Sequence, residues 1–270
     1  MLNRRSLQLI AFISLWSLCS LFAGAAYSQN VSDEINKYRE MLKEANPAEL
    51  LELQGEEIWQ SPRGPNQATL EKCDFGLGPG VLDGAYAQLP RYFADTGKVQ
   101  DAESRLVTCM MQLQGLSLAQ ATQAWHRSGS DIEALVTYVA TKSKGSTINV
   151  PAGHPKEAQM YAIGEALFFR RAGPLDFSCS TCHGQDDKRI RLQELPNLTT
   201  KEGAQSSMKD WPAYRVSQGS VWTMERRLID CLRQMRFPDA EFLSDVVVAL
   251  QVYMQKNASG VVLEAPGIKR

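Results

Sequence analysis

Cys179-Ser180-Thr181-Cys182-His183 sets two thiols three positions apart and follows the second at once with an imidazole. Thiols at that spacing can form thioethers to the two vinyl groups of a haem while the next residue offers its ring to the iron. Two other chemistries use paired thiols. A redox C-x-x-C has no need of the histidine, and a zinc site wants a second pair of ligands, which the sequence does not supply. The reading that fits is one covalently attached haem c, held by Cys179 and Cys182, with His183 as an axial ligand.

The other four cysteines are Cys19, Cys73, Cys109 and Cys231. Cys19 falls in an N-terminal stretch with the form of an export signal. Arg4 and Arg5 supply the positive start, an interrupted apolar run follows from Leu7 to Phe22, and small residues precede a cleavage expected near Ser28. The run is too short to span a bilayer comfortably, and no second run is long enough. The expected mature chain is therefore periplasmic, without a membrane span. The formal net charge of -1 gives no reason to expect nucleic acid. Three cysteines outside the motif are an odd number for an oxidising compartment, so one of them needs its own explanation.

The elements around the motif predict a small helical domain. Residues 156–171 read as a helix stopped by Gly173-Pro174. Residues 239–256 carry Phe242, Val246, Leu250, Tyr253 and Met254 at helical spacing. Helix, haem motif, irregular loops and closing helix are the order of a class I cytochrome c.

The chain also matches itself. A shift of 122 positions lays Pro90 on Pro212, Tyr92 on Tyr214, Gly97 on Gly219, Glu103 on Glu225, Arg105 on Arg227 and Cys109 on Cys231. A shift of 109 lays Gly55 on Gly164 and Gly64-Pro65 on Gly173-Pro174, and Tyr138 corresponds to Tyr253. The expected architecture is mainly α, with two tandem cytochrome c-like domains. A signal peptide over 1–28 precedes a haemless domain over 29–150 and a haem-binding domain over 151–270. In the first copy Leu70, Cys73 and Asp74 stand where Cys179, Cys182 and His183 stand in the second, which leaves no means of holding a haem. Cys73 and Cys109 are then expected to form a disulfide.

Cys231 is the cysteine left over. Leu228, Cys231, Leu232 and Met235 share one face of a helix predicted over 224–235, so the thiol points toward whatever the domain encloses. Opposite His183 the iron can take a second ligand. Met208, Met224 and Met235 are candidates that also read as core filler, and His126 and His154 lie away from the motif in sequence. A Cys231 thiolate suits ferric iron and lowers its potential. Arg227 stands four residues before Cys231, where a guanidinium would favour the thiolate and could bind an anion. Arg105 at the matching position argues for a structural ion pair instead, with Glu225 or Asp230 as partner. Arg226, Arg233 and Arg236 add positive charge.

The tandem halves, the Cys179–His183 motif and Arg226-Arg227-Leu228-Ile229-Asp230-Cys231 together resemble the SoxA subunits of periplasmic SoxAX complexes, which are L-cysteine S-thiosulfotransferases. The resemblance covers most of the mature chain and is of the single-haem kind. It implies that Cys231 is the distal iron ligand, a candidate for persulfide modification and the sulfur-accepting centre. Arg227 would hold the substrate anion. It also implies that thiosulfate is joined oxidatively to a cysteine of a sulfur-carrier protein (SoxYZ), with a small c-type cytochrome (SoxX) as stable partner. The rivals are a plain electron-transfer cytochrome and a tetrathionate-forming thiosulfate dehydrogenase, though the latter usually carries two haem motifs. A docking role for the haemless half, toward another cytochrome, is compatible with the main reading.

Overall fold

A computed structural model of the chain describes residues 34, 37, 38, 40–42, 44–190, 193–238 and 240–269. The leader expected over 1–28, Cys19 included, lies outside them. Residues 1–45 and 46–270 are separate compact units, and every cysteine discussed below belongs to the second. No described helix is long and apolar enough to cross a membrane.

The second unit is mainly helical. Helix α1 (Ala48–Gln60) is followed by a loop carrying Leu70 and Cys73, then by a hairpin of β1 (Arg91–Phe93) and β2 (Lys98–Gln100). Helix α2 (Ala102–Gln114) starts at Asp101, whose carboxylate accepts the Ser104 N–H at 2.9 Å, and stops at Gly115 in the left-handed region at φ 74°. A short α3 (Leu118–Ala121) leads to α4 (Asp131–Lys142).

The chain then repeats the plan. Helix α5 (Pro155–Phe169) precedes α6 (Cys179–His183), and a two-stranded ribbon of β3 (Arg189–Ile190) and β4 (Gln193–Glu194) leads to α7 (Lys201–Met208). The hairpin of β5 (Ala213–Arg215) and β6 (Ser220–Trp222) feeds α8 (Met224–Gln234), and α9 (Asp245–Asn257) closes the series. Strand β7 (Gly267–Lys269) adds in parallel to β5. Helix α5 ends two residues before the predicted limit, because Arg170 already turns extended at ψ 119°. The closing helix starts at Asp245, after extended Ser244 at ψ 151°, instead of at Asp239, which lies outside the described residues.

The opening and closing helices of each half meet at a glycine. A methyl group on Gly55 would fall 2.1 Å from the Ala134 carbonyl oxygen, and one on Gly164 would fall 2.0 Å from that of Ala249. Backbone-to-backbone approach this close is available only to glycine. Tyr138 and Tyr253 take matching places beside the contact, the first 6.1 Å from the Trp59 ring and the second 5.1 Å from that of Phe168.

Each half has its own apolar cluster. The first is filled by Leu70, Phe75, Leu82, Tyr86, Phe93, Leu106 and Met110, and Cys73 and Cys109 are disulfide-bonded within it, their Cα atoms 5.5 Å apart. The second contains Phe168, Met208, Trp211, Trp222, Leu228 and Tyr253. After Gly260 the chain returns to the first half. Ile148 N–H bonds the Val261 carbonyl at 2.8 Å, Leu263 N–H bonds the Ser146 carbonyl at 2.9 Å, and Leu263 and Ala265 are buried in the first cluster.

Candidate functional site

Short helices need caps, and α6 has a reciprocal one. Ser178 Oγ accepts the Thr181 N–H at 3.2 Å, and Thr181 Oγ1 accepts the Ser178 N–H at 3.0 Å. Cys179, Cys182 and His183 are all half-buried on this single turn. His183 Nδ1–H donates to the Pro196 carbonyl at 2.9 Å. That bond fixes the tautomer and leaves the Nε2 lone pair free to ligate. Burial, seconded by the positive charge of Arg227, holds the His183 pKa below its ordinary value, so the ring is neutral as a ligand must be.

Cys231 comes to this turn from α8, which starts where Thr223 Oγ1 accepts the Arg226 N–H at 3.4 Å. Leu228 and Leu232 on the same face are buried in the domain, and Cys231 between them is half-buried. The three free thiols share one electrostatic neighbourhood. Cys179 is pushed up to about 12, first by burial and then by Cys231 and Cys182. Cys231 is raised chiefly by burial, against the pull of Arg227 and Arg215 and with the push of Asp230. Two thiols for covalent attachment, one neutral imidazole and one further thiol opposed by guanidinium charge are a donor set that fits haem c.

Arg227 donates to Asp230 at 3.2 Å. Of the two partners considered for it, the acid is Asp230; Glu225 instead accepts the Leu243 N–H at 2.9 Å. Asp230 also takes Arg233 at 2.7 Å and Gln234 at 2.6 Å. Arg226 turns to the first half, where it pairs with buried Glu133, and its guanidinium lies 4.6 Å over the ring of Trp222 in its own half. Arg236 is exposed. Met208, Met224 and Met235 are all buried, the first two in the second apolar cluster. His126 is exposed, and His154 stacks on Tyr92 with centroids 3.6 Å apart while its Nδ1 accepts the Lys156 N–H.

The half without the haem motif uses the matching residues differently. Arg105 Nε donates to the Asp74 carbonyl at 2.5 Å, and Nη1 reaches both oxygens of Asp95 at 2.8 and 3.0 Å. Its guanidinium lies 4.1 Å over the Phe93 ring. Asp74, at the place of His183, folds its own loop by accepting the Gly76 and Gly78 N–H groups at 2.6 and 3.0 Å.

Arg215 escaped the sequence reading. It ends β5, half-buried, with its guanidinium 5.4 Å over the Trp222 ring. Its Nε is buried without a hydrogen-bond partner among the described residues. The 122-position shift held the signal, since it lays Arg215 on Phe93.

Comparison with known proteins identifies the family. A family model described as SoxA/TsdA, cytochrome c domain, matches residues 54–148, the half without the haem motif. The L-cysteine S-thiosulfotransferase subunit SoxA of Hydrogenophilus thermoluteolus is 49% identical over 94% of this chain and 96% of its own length. A SoxA of Hydrogenobacter thermophilus is 34% identical over 93% of each. The crystal structure of SoxXA from P. pantotrophus shares the fold, with a TM-score of 0.72 at 24% identity over 87% of this chain and 84% of that one. The chain belongs to the SoxA family of L-cysteine S-thiosulfotransferase subunits, c-type cytochromes with covalently bound haem c.

Proposed function

We propose that this chain couples thiosulfate oxidatively to a cysteine of a sulfur-carrier protein, using Cys231 as the sulfur-handling centre. Cys179 and Cys182 would hold the haem, and His183 and Cys231 would be the ligands to its iron. Residues 29–150 form the haemless cytochrome c-like domain and 151–270 the haem domain. The observation that carries the reading is the convergence of α6 and α8, which puts the Cys231 thiol within electrostatic reach of both motif thiols.

Haem c, when bound, supplies a one-electron sink. The coupling releases two electrons, so one must pass on to the partner cytochrome within each turnover. A carrier thiol and thiosulfate form a sulfur–sulfur bond, releasing one proton from the thiol and two electrons. Arg227, steadied by Asp230, holds the anion next to Cys231 through charge-assisted N–H bonds. The Pro196 carbonyl keeps the His183 ring aimed, and burial keeps it neutral. Cys231 is also the site proposed for persulfide modification. The partners proposed are the small cytochrome SoxX and the carrier SoxYZ, and the compartment is the periplasm. The SoxXA neighbour supports the first partner, the cysteine in the relatives' named activity supports a cysteine-bearing acceptor, and the leader-like N-terminus supports the compartment.

The test combines the haem-loaded protein and its small cytochrome partner with carrier, thiosulfate and an excess of a ferric cytochrome. Whole-protein mass spectra should show the carrier gaining one thiosulfate, with two electrons appearing in the acceptor per adduct. Cys231→Ala should abolish the adduct and change the haem spectrum. Undiminished coupling with an unchanged spectrum in that variant would end the proposal.

A further inference from the structure

The two repeats treat one place in opposite ways. In the first, Arg105 is neutralised by Asp95 and stacked on Phe93. Shifted by 122 positions, Phe93 becomes Arg215, Asp95 becomes Ser217 and Arg105 becomes Arg227. The hairpins agree strand for strand, because Phe93 pairs with Lys98 as Arg215 pairs with Ser220. An aromatic ring has been exchanged for a cation and the neutralising acid for an alcohol. The matched trio therefore rises in formal charge from zero to plus two.

Among the chain's own described side chains only Asp230 answers it. Asp230 is shared among Arg227, Arg233 and Gln234. Arg215 makes no ion pair among the described residues, and its Nε is buried without a partner. Arginine does not escape by losing its proton. Like charges kept together with a donor left over cost free energy unless an anion lies between them. Burial and then the field of Arg227 oppose the charge on Arg215, while Cys231 and Asp230 favour it.

We propose that Arg215 and Arg227 together form a receptor for a doubly charged oxyanion beside Cys231, with Arg215 the residue that selects dianions over monoanions. The proposal rests on the thiosulfate reading and adds to it the charge specificity of the site. Arg215 is half-buried at the end of a strand, with its guanidinium over the Trp222 ring. The cation is therefore in place before the substrate arrives, which lowers the ordering cost of binding.

The test uses the haem-loaded full chain, and Arg215→Phe restores the residue that the first repeat tolerates at this place. Sulfate and nitrate, as unreactive dianion and monoanion, are titrated by calorimetry and by haem absorption at constant ionic strength. The wild type should bind sulfate at least tenfold more tightly than nitrate. Arg215→Phe should remove that preference and raise the KM for thiosulfate about tenfold or more, leaving kcat within a few-fold. Ser217→Asp, which restores the missing acid, should weaken sulfate binding in the same direction. Both variants should keep the wild-type melting temperature to within a few degrees; the Ser217→Asp result decides the case should Arg215→Phe not fold. Equal sulfate affinity in wild type and variants would overturn the proposal. A wild type that prefers sulfate yet does not couple thiosulfate would refute the functional reading and leave the dianion receptor standing.

Discussion

Glu225 donates its backbone N–H to a carboxylate oxygen of Glu103 at 3.3 Å, and the two residues hold the same place in the two repeats, 122 positions apart. Each is in the first turn of its helix, and both are fully buried. Asp101, also buried, stands beside them and accepts from Gln251. Glu225 Oε1 has no donor facing it, so a proton on Glu225 gives the site an O–H to donate to Asp101. Burial, followed by Asp101, raises Glu103 to about 8, and burial with both neighbouring acids raises Glu225 well above the usual carboxylate range.

The sign follows from linkage. The folded state keeps protons that the unfolded chain releases at ordinary carboxylate pKa values. Stability from this cluster is thus fully present below that range and is lost as pH rises toward about 8. Glu225→Gln places an amide N–H where Oε1 lacks a donor. It should gain on the order of 1 kcal/mol at pH 8 and flatten the decline. Denaturant melts of the haem-loaded protein at pH 5 and pH 8 measure both effects, and parallel pH profiles for variant and wild type would count against the shared proton.

The Cys73–Cys109 bond closes a loop of 36 residues. A cross-link of that span removes unfolded-state entropy worth about 3–4 kcal/mol. The double variant Cys73→Ala/Cys109→Ala should lose about that much in denaturant titrations while the haem spectrum stays as it was. A spectrum altered along with stability would mean that the first half supports the haem pocket directly.

Gly164 and Gly55 are predicted to be intolerant of alanine. The added carbon would meet a carbonyl oxygen at 2.0 or 2.1 Å, so α5 or α1 must move off its partner. The expected cost is about 1–3 kcal/mol or more, about 2–4 °C of melting temperature per kcal/mol in a chain of this size. Gly145, around which a Cβ would meet nothing, has φ 88°, so alanine there reports backbone strain alone and serves as the comparison. Equal loss at all three positions would remove the close-packing explanation.

Arg226 and Arg227 are adjacent in sequence and are expected to fail differently. Arg226 pairs with Glu133, whose carboxyl burial raises to about 7 against the pull of that guanidinium. Arg226→Ala strands a buried acid and should cost about 3 kcal/mol of stability with the KM for thiosulfate little changed. Arg227→Ala should raise that KM by about tenfold or more at small cost in stability. Melting curves and steady-state kinetics on both variants separate the two, and a reversed pattern would exchange their roles.

The sequence by itself determined what depends on order along one element. The spacing of Cys179, Cys182 and His183 defines an attachment turn before any fold is known. The helical phase of Leu228, Cys231 and Leu232 sets the thiol inward. The two register shifts identify the repeat and, through Leu70, Cys73 and Asp74, the half that gave up its haem motif. Tertiary structure decided everything that depends on distant segments meeting. Nothing local distinguishes Glu103, Glu133 and Glu225 from helix-face acids facing water; they are buried only because the halves close over them. The Pro196 carbonyl that orients His183 lies across the β3–β4 ribbon, and the Leu263 side chain that completes the first core comes from the far end of the chain. Arg215 joins Arg227 only when β5 folds back on β6 ahead of α8. Periodicity reports which face of an element is apolar, but the field at a charged group is set by its neighbours in space, and those exist only once the chain has folded.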